Sequence, residues 1–325
     1  MISYSTLGGH WLQCVSRTDH VHILYHACCL DGMTSAVVFK NFLNSVGHRN
    51  ISFLPVSYGS NVPSIEKDSH VVIVDFSYPI EKMIGIQKRA KSLLVIDHHV
   101  TAVNAILTYK SSIPVEDMFD YFLSVDGTNE SDSGASLVAK FTIPDKGLGF
   151  IALAREHDLW KHDGNPESPA LALNRWFNDV VLPLPAWDAF AAIEKAMYID
   201  AALVTAVEHG RSILGEEVKA ITANIDANAV AYKWKGYRVM FCPSVKKDAS
   251  MTGTLLCKRG DFSATYFQRP DGKVEYSLRS PRASNIDVSV WAKEAGGGGH
   301  MHAAGFVLEP DTYAFFQLGT EVYIK

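Results

Sequence analysis

At 325 residues the chain is long enough for two domains of ordinary size, each burying its own core. Hydrophobic residues make up 47% and charged residues 20%, a globular balance that excludes a largely disordered chain. The formal net charge of -5 excludes a broad basic face for long duplex nucleic acid, so a polyanionic ligand would have to be held by a local cluster or by metal ions.

Residues 1–20 are polar and weakly patterned, which suits a short extension or an added edge strand. His22–Tyr25 is an apolar run followed by a loop, and Ser35–Leu43 has helical spacing. Val71–Val74 and Leu93–Ile96 are further compact apolar runs, each followed directly by an aspartate, with a helical stretch, Ile80–Lys91, between them. Strands alternating with helices predict βαβ units and a mostly parallel sheet, whose buried strands read as continuous apolar runs. Helices are also predicted at Ser133–Phe141 and Gly149–Trp160, then over a long Ala-, Glu- and Val-rich region from Trp187 to Ala220. From about Val230 the chain turns β-rich. Tyr237–Phe241, Phe262–Gln268 and Val274–Ser280 read as strands, the last two joined by a Pro270-Asp271-Gly272 turn. A helix near Val288–Glu294, the glycine run Gly296–Gly299, His300 and a final strand near Gly305–Leu308 complete the reading.

Five cysteines (Cys14, Cys28, Cys29, Cys242, Cys257) without CxxC spacing predict reduced thiols in a cytoplasmic protein. The N-terminus lacks the basic flank and apolar core of a signal peptide. No apolar stretch reaches membrane-spanning length, so a soluble intracellular protein without a membrane partner is expected.

In an open α/β sheet the site lies beyond the carboxyl ends of the strands. His26, Asp75 and Asp97 each stand just past an apolar run, so three strand ends can bring them together. Asp97-His98-His99 offers a carboxylate and two imidazoles, a donor set suited to a divalent cation; a solvated polar turn is the plainer alternative. Asp158 lies on a helix, where an aspartate is ordinarily exposed or a cap.

The ordered series His26…Asp31-Gly32…Ser35-Ala36, Val74-Asp75, Asp97-His98-His99 and Arg155-Glu156-His157-Asp158 resembles the DHH phosphoesterase superfamily. Gly296-Gly297-Gly298-Gly299-His300…Ala303-Ala304-Gly305 is similar to the signature of its DHHA1 domain. The resemblance covers nearly the whole chain after residue 20. It implies an α/β fold with an N-terminal parallel-sheet DHH lobe (1–200), a helical linker (201–225) and a smaller mixed α/β DHHA1 lobe (226–325). It further implies that Asp75 bridges two metal ions, with His26 on one and Asp31, His98 and Asp158 on the other. Asp97 would orient the site or bind metal directly, and His99 would sit near the phosphate. The implied cofactor is Mn²⁺, with Mg²⁺ or Co²⁺ as alternatives, in a two-metal hydrolysis.

The sequence departs from the family at Cys28-Cys29-Leu30-Asp31, where many members carry two aspartates. Cys29 falls close to the missing carboxylate and is either a softer metal ligand or, like Cys28, a small packing residue. In the second lobe, Arg279, Gly298, Gly299 and His300 are candidates for holding the far part of a substrate, with Arg282 a weaker one. Ser133-Gly134-Ala135 opens a helix and reads either as a cleft element or simply as an N-cap.

The function implied is a phosphodiesterase or exonuclease on short oligonucleotides or dinucleotides. A phosphoanhydride hydrolase is the alternative enzyme, and a catalytically idle nucleotide-binding protein the alternative from another class. The expected partner is a small phosphorylated substrate, and the oligomeric state, homodimer included, stays open.

Overall fold

The apolar runs of the N-terminal half become the inner strands of a six-stranded sheet; the computed structural model of the protein describes residues 4–7, 11, 15–124, 132–142, 147–309 and 320–322. In chain order the elements are β1 (Tyr4–Leu7), β2 (Val21–His26), α1 (Leu30–Ser45), β3 (Ile51–Val56), β4 (His70–Val74), α2 (Ile80–Gln87), β5 (Ser92–Asp97), α3 (Val100–Ser111) and β6 (Asp120–Ser124). Helices α4 (Gly134–Thr142), α5 (Leu148–Asp158), α6 (Pro169–Trp176), α7 (Ala186–Tyr198) and α8 (Asp200–Asn228) follow.

The sheet order is β1-β6-β5-β4-β2-β3; β2 to β6 run parallel, and β1 adds to β6 antiparallel, as an edge strand. From β2 the chain steps outward to β3, then crosses to the other side of β2 for β4, β5 and β6. The direction of winding therefore reverses between β2 and β4, where such sheets open a crevice at their carboxyl ends. Val71, Ile73, Val95, Tyr121 and Leu123 share one buried core with Phe76. Burial on both faces makes β4 and β5 continuous apolar runs.

A mixed sheet forms from β7 (Val230–Trp234), β8 (Tyr237–Pro243), β9 (Phe262–Gln268), β10 (Val274–Arg279), β11 (Gly298–His300), β12 (Ala303–Leu308) and β13 (Thr320–Val322), with helices α9 (Ala249–Leu256) and α10 (Val288–Glu294). Its order is β11-β12-β10-β9-β8-β7-β13, with only β8 and β9 parallel to each other among the described pairs. Val239, Phe262, Leu278, Val288 and Phe306 form its core. One unit comprises residues 1–162 and 167–211, and the other 163–166 and 212–325.

Several expectations are corrected. The long helical region from Trp187 to Ala220 is two helices, because Ile199 takes an extended backbone (φ -122°, ψ 105°) and ends α7. The strand near Gly305–Leu308 is not the last, since β13 follows. Cys28 is not a buried packing residue: it is exposed, with φ 55°. Cys14 lies outside the described residues.

Candidate metal centre

Three strand ends and two helices supply the site. His26 ends β2, Asp75 follows β4, Asp97 ends β5, Asp31 lies in the first turn of α1, and Asp158 closes α5. Three overlapping groups of donors result. His26, Cys29 and Asp75 form one, Asp31, His98 and Asp158 another, and Asp75, Asp97, His98 and His99 the third; within each, the ligand atoms lie within 4.8 Å of one another.

Asp75 is the joint between the first two. Its Oδ2 is 3.7 Å from His26 Nδ1 and 3.8 Å from Cys29 Sγ, and its Oδ1 is 3.3 Å from His98 Nε2. The side chain is 1% exposed, and its backbone sits at φ 55°, a left-handed conformation that a non-glycine residue adopts at a cost. Burial opposes ionisation of Asp75, but the His26 and His98 imidazoles outweigh it and hold the carboxyl below its usual range. Asp31 is pushed up by burial and by the Asp75 and Asp158 carboxylates. Burial and Asp75 raise Asp158 to about 6. Burial, then Asp75 and Asp31, push the Cys29 thiol up as well.

Such crowding of carboxylates lacks a sufficient counter-charge. Asp75 Oδ1 and both ring nitrogens of His98 are buried without a hydrogen-bond partner. Buried polar atoms are ordinarily paired, and buried carboxylates that converge without partners suit a cation. The donors present, carboxylates and imidazoles with one thiol, fit a divalent metal of intermediate hardness.

Asp97 is arranged differently. Its Oδ1 accepts from the His98 and His99 backbone N–H groups (2.8 and 3.2 Å) and lies 2.7 Å from His99 Nδ1, while Oδ2 accepts from Ser77 Oγ at 2.6 Å. Both oxygens are engaged in fixing the Asp97-His98-His99 turn. Sequence reasoning misses Ser77, because a serine two residues past a strand-ending aspartate has no distinctive spacing.

The Ser133-Gly134-Ala135 turn is more than a cap. Ser133 Oγ donates to Asp31 Oδ1 at 2.6 Å, and the Ala135 N–H approaches both Asp31 oxygens at 3.3 and 3.2 Å. The same Ser133 Oγ accepts from the Ser136 N–H at 3.4 Å, so the capping role coexists. A Cβ on Gly134 would overlap Asp75 Cβ and Oδ1, so only glycine lets α4 approach this closely.

A further group, His20, His22 and Glu66, lies at the amino end of β2. His20 Nδ1 is 2.6 Å from Glu66 Oε2 and Nε2 is 2.6 Å from Ser52 Oγ, so both ring nitrogens are already in use.

Residues 248–317 match the DHHA1 domain family. Over 90% of this chain and 94% of the other, the fold matches that of the pGpG-specific phosphodiesterase PggH from Vibrio cholerae, at 14% identity and a TM-score of 0.55. Residues 248–317 thus form a DHHA1 domain, and the chain as a whole shares the fold of that phosphodiesterase. An uncharacterised protein of Acanthamoeba polyphaga mimivirus is 25% identical over 301 residues, covering 87% of this chain. The chain spans 66% of that relative's own length, just under two thirds. RecJ from Thermus thermophilus in complex with Mn²⁺ is a looser likeness, at 12% identity and a TM-score of 0.45, over 92% of this chain and 51% of that one.

Within the DHHA1 domain, the glycine run is half strand. Gly298–His300 pair with Ala303–Gly305, and a Cβ on Gly297 or Gly299 would overlap the backbone of β12. Those two glycines are needed for packing, whereas Gly298 faces open space and His300 is exposed. Arg279 donates to Ser277 Oγ (2.9 Å), the Leu278 carbonyl (2.8 Å) and Ser250 Oγ (3.0 Å), and its Nε is buried without a partner. Arg282 Nε pairs with Asp163 at 2.8 Å. No helix among the described residues is long and apolar enough to cross a membrane.

Proposed function

We propose that this protein is a DHH-superfamily enzyme, a metal-dependent phosphodiesterase or exonuclease that hydrolyses dinucleotides and very short oligonucleotides. The observation that carries this reading is the pair of donor groups meeting at Asp75, His26–Cys29–Asp75 and Asp31–His98–Asp158. Divalent cations held there, Mn²⁺ by donor type with Mg²⁺ or Co²⁺ as alternatives, would neutralise phosphate oxygens and lower the pKa of a bound water.

The chain's own residues have distinct tasks in this reading. Asp75 joins the two groups, and His26, Asp31, His98 and Asp158 complete them, with Cys29 beside Asp75. Asp97 holds the His99 ring through Nδ1, which leaves Nε2 to meet a phosphate oxygen. Burial works against protonation of His99, but Asp97 overcomes it and raises its pKa, so the ring is disposed to donate. Ser133 and Ala135 keep Asp31 in place. In the DHHA1 domain, Arg279, Gly298, Gly299 and His300 are proposed to hold the distal part of the substrate.

Short substrates are favoured because a net charge of -5 offers no basic track for a long strand. The dinucleotide named for PggH suits the same size class. The test is a Mn²⁺ panel of dinucleotides, longer RNA and DNA, cyclic dinucleotides and polyphosphate. Fastest turnover on dinucleotides is expected; turnover of polyphosphate alone would replace this reading with a phosphoanhydride hydrolase.

A further inference from the structure

Tyr58 lies in the turn that follows β3, beside the carboxyl end of β2. Its ring centroid is 5.5 Å from that of His26 (interplanar angle 73°) and 6.0 Å from that of His99 (81°). Both imidazoles meet it edge to face, while Phe76 supports it at 4.9 Å. Despite these three neighbours the residue is 57% exposed. An aromatic serving only the core would bury more of its area, since burial is what stabilises it there.

The turn holding it is tied down. Ser60 N and Oγ both donate to the Ser57 carbonyl, at 3.0 and 2.6 Å, and Lys82 Nζ donates to the Ser60 carbonyl at 2.8 Å. The ring is therefore a pre-positioned surface, and little ordering is left to be done on binding. Proteins that hold single-stranded nucleic acid use such aromatic platforms, because every base has a π-face.

We propose that Tyr58 is the base-stacking residue of the metal centre, taking the nucleobase adjacent to the scissile phosphate on its open side. The assignment rests on the phosphodiesterase reading above and deepens it. Tyr58 would make the site prefer a nucleotidyl phosphodiester over an inorganic phosphate chain. It positions the substrate and takes no part in bond breaking.

The experiment compares the wild-type chain with Tyr58→Ala, Tyr58→Phe and Tyr58→Trp. Each is assayed with Mn²⁺ on a dinucleotide and on the same backbone carrying abasic sugars. Stacking present equally in ground and transition states acts on KM and leaves kcat alone. Tyr58→Ala should raise KM for the dinucleotide by about 5- to 100-fold, the span that loss of one stacked base corresponds to. Phe and Trp should restore it, and on the abasic substrate Tyr58→Ala should behave as wild type. Equal losses on both substrates would overturn the assignment, making Tyr58 a support for His26 and His99. A Phe variant as damaged as Ala would overturn it too, because the hydroxyl and not the ring would matter. Wild-type turnover of both substrates with no effect of Tyr58→Ala removes Tyr58 alone. Wild-type turnover of neither removes the phosphodiesterase reading, and the Tyr58 assignment with it.

Discussion

His98 Nε2 stands 3.3 Å from Asp75 Oδ1, and neither atom forms a hydrogen bond. Asp158 Oδ2 approaches the same nitrogen at 3.4 Å. These atoms converge without satisfying one another, as ligands do around a shared ion. Chelation should therefore abolish hydrolysis and Mn²⁺ should restore it. Asp75→Ala should lower kcat by several orders of magnitude and reduce bound metal in elemental analysis, with circular dichroism unchanged. Full turnover in excess chelator would sink the mechanism.

On the proposed reading, the same contact should make metal affinity depend on pH. In the metal-free protein burial opposes the charge on His98, but Asp75, Asp158 and Asp97 raise its pKa to about 10. The folded value exceeds the ordinary 6.5, so the charge pair's stabilisation is complete below 6.5 and is lost as pH rises through about 10. Coordination needs the lone pair that this proton occupies, so affinity should rise with pH across that window. Calorimetry near neutral pH, in buffers of different ionisation enthalpy, should register proton release on Mn²⁺ binding. Affinity that stays flat across the window would show that His98 is not a ligand.

Gly134→Ala tests how α4 bears on the centre. The added methyl would overlap Asp75, so relaxation must move either the helix or the carboxylate. A stability loss of about 1–3 kcal/mol is expected in denaturant unfolding of the metal-free protein. Weaker metal binding should accompany it. Ser133→Ala removes a buried donor from Asp31 and should cost a similar ~1–3 kcal/mol. Wild-type metal affinity in both variants would mean that this turn serves only the helix.

Cys29 stands at the start of α1, with Sγ 3.8 Å from Asp75 Oδ2. If the thiol is a ligand, Cys29→Ala should weaken one metal site. Cys29→Asp should keep both and shift preference toward harder ions such as Mg²⁺. Competition titrations with Mn²⁺, Mg²⁺ and Co²⁺ read this directly, and unchanged stoichiometry and affinity in Cys29→Ala would leave Cys29 a packing residue.

Strands buried on both faces were legible in the sequence, because Val71–Val74 and Leu93–Ile96 have no polar interruption. The edge strand β3 and the short strand β6 were not. β3 contains Pro55, which an edge tolerates but which breaks the pattern, and β6 is five residues with an acidic start. The candidate ligand residues that the structure brings together were legible because each follows an apolar run or belongs to an ordered motif. Ser77 and Tyr58 carry no such mark: what brings them to Asp97 and His26 is the winding of the sheet. The glycine run shows the converse, a pattern that suggested a ligand cradle although two of its glycines are required by strand packing.

Arg279 separates gripping from chemistry. Its guanidinium already bonds to Ser277, Leu278 and Ser250, so it is held in one place, with Nε buried and unpaired. On the proposed reading this fixed cation meets a phosphate or base away from the metals. A charge-assisted contact is worth about 1.5–3 kcal/mol, or roughly ten- to hundredfold in kcat/KM. Arg279→Ala should cost about that much on a dinucleotide. It should cost far less on a nitrophenyl phosphate diester, which lacks the distal nucleotide. Arg279→Lys keeps the charge but loses the planar fork, so it should recover only part of the loss. Metal content should not change in either variant. Because the same bonds also brace β10 against α9, thermal unfolding must accompany the kinetics. Equal losses on both substrates, with a lowered Tm, would assign Arg279 to the fold of the DHHA1 domain. No loss on either would remove it from substrate recognition.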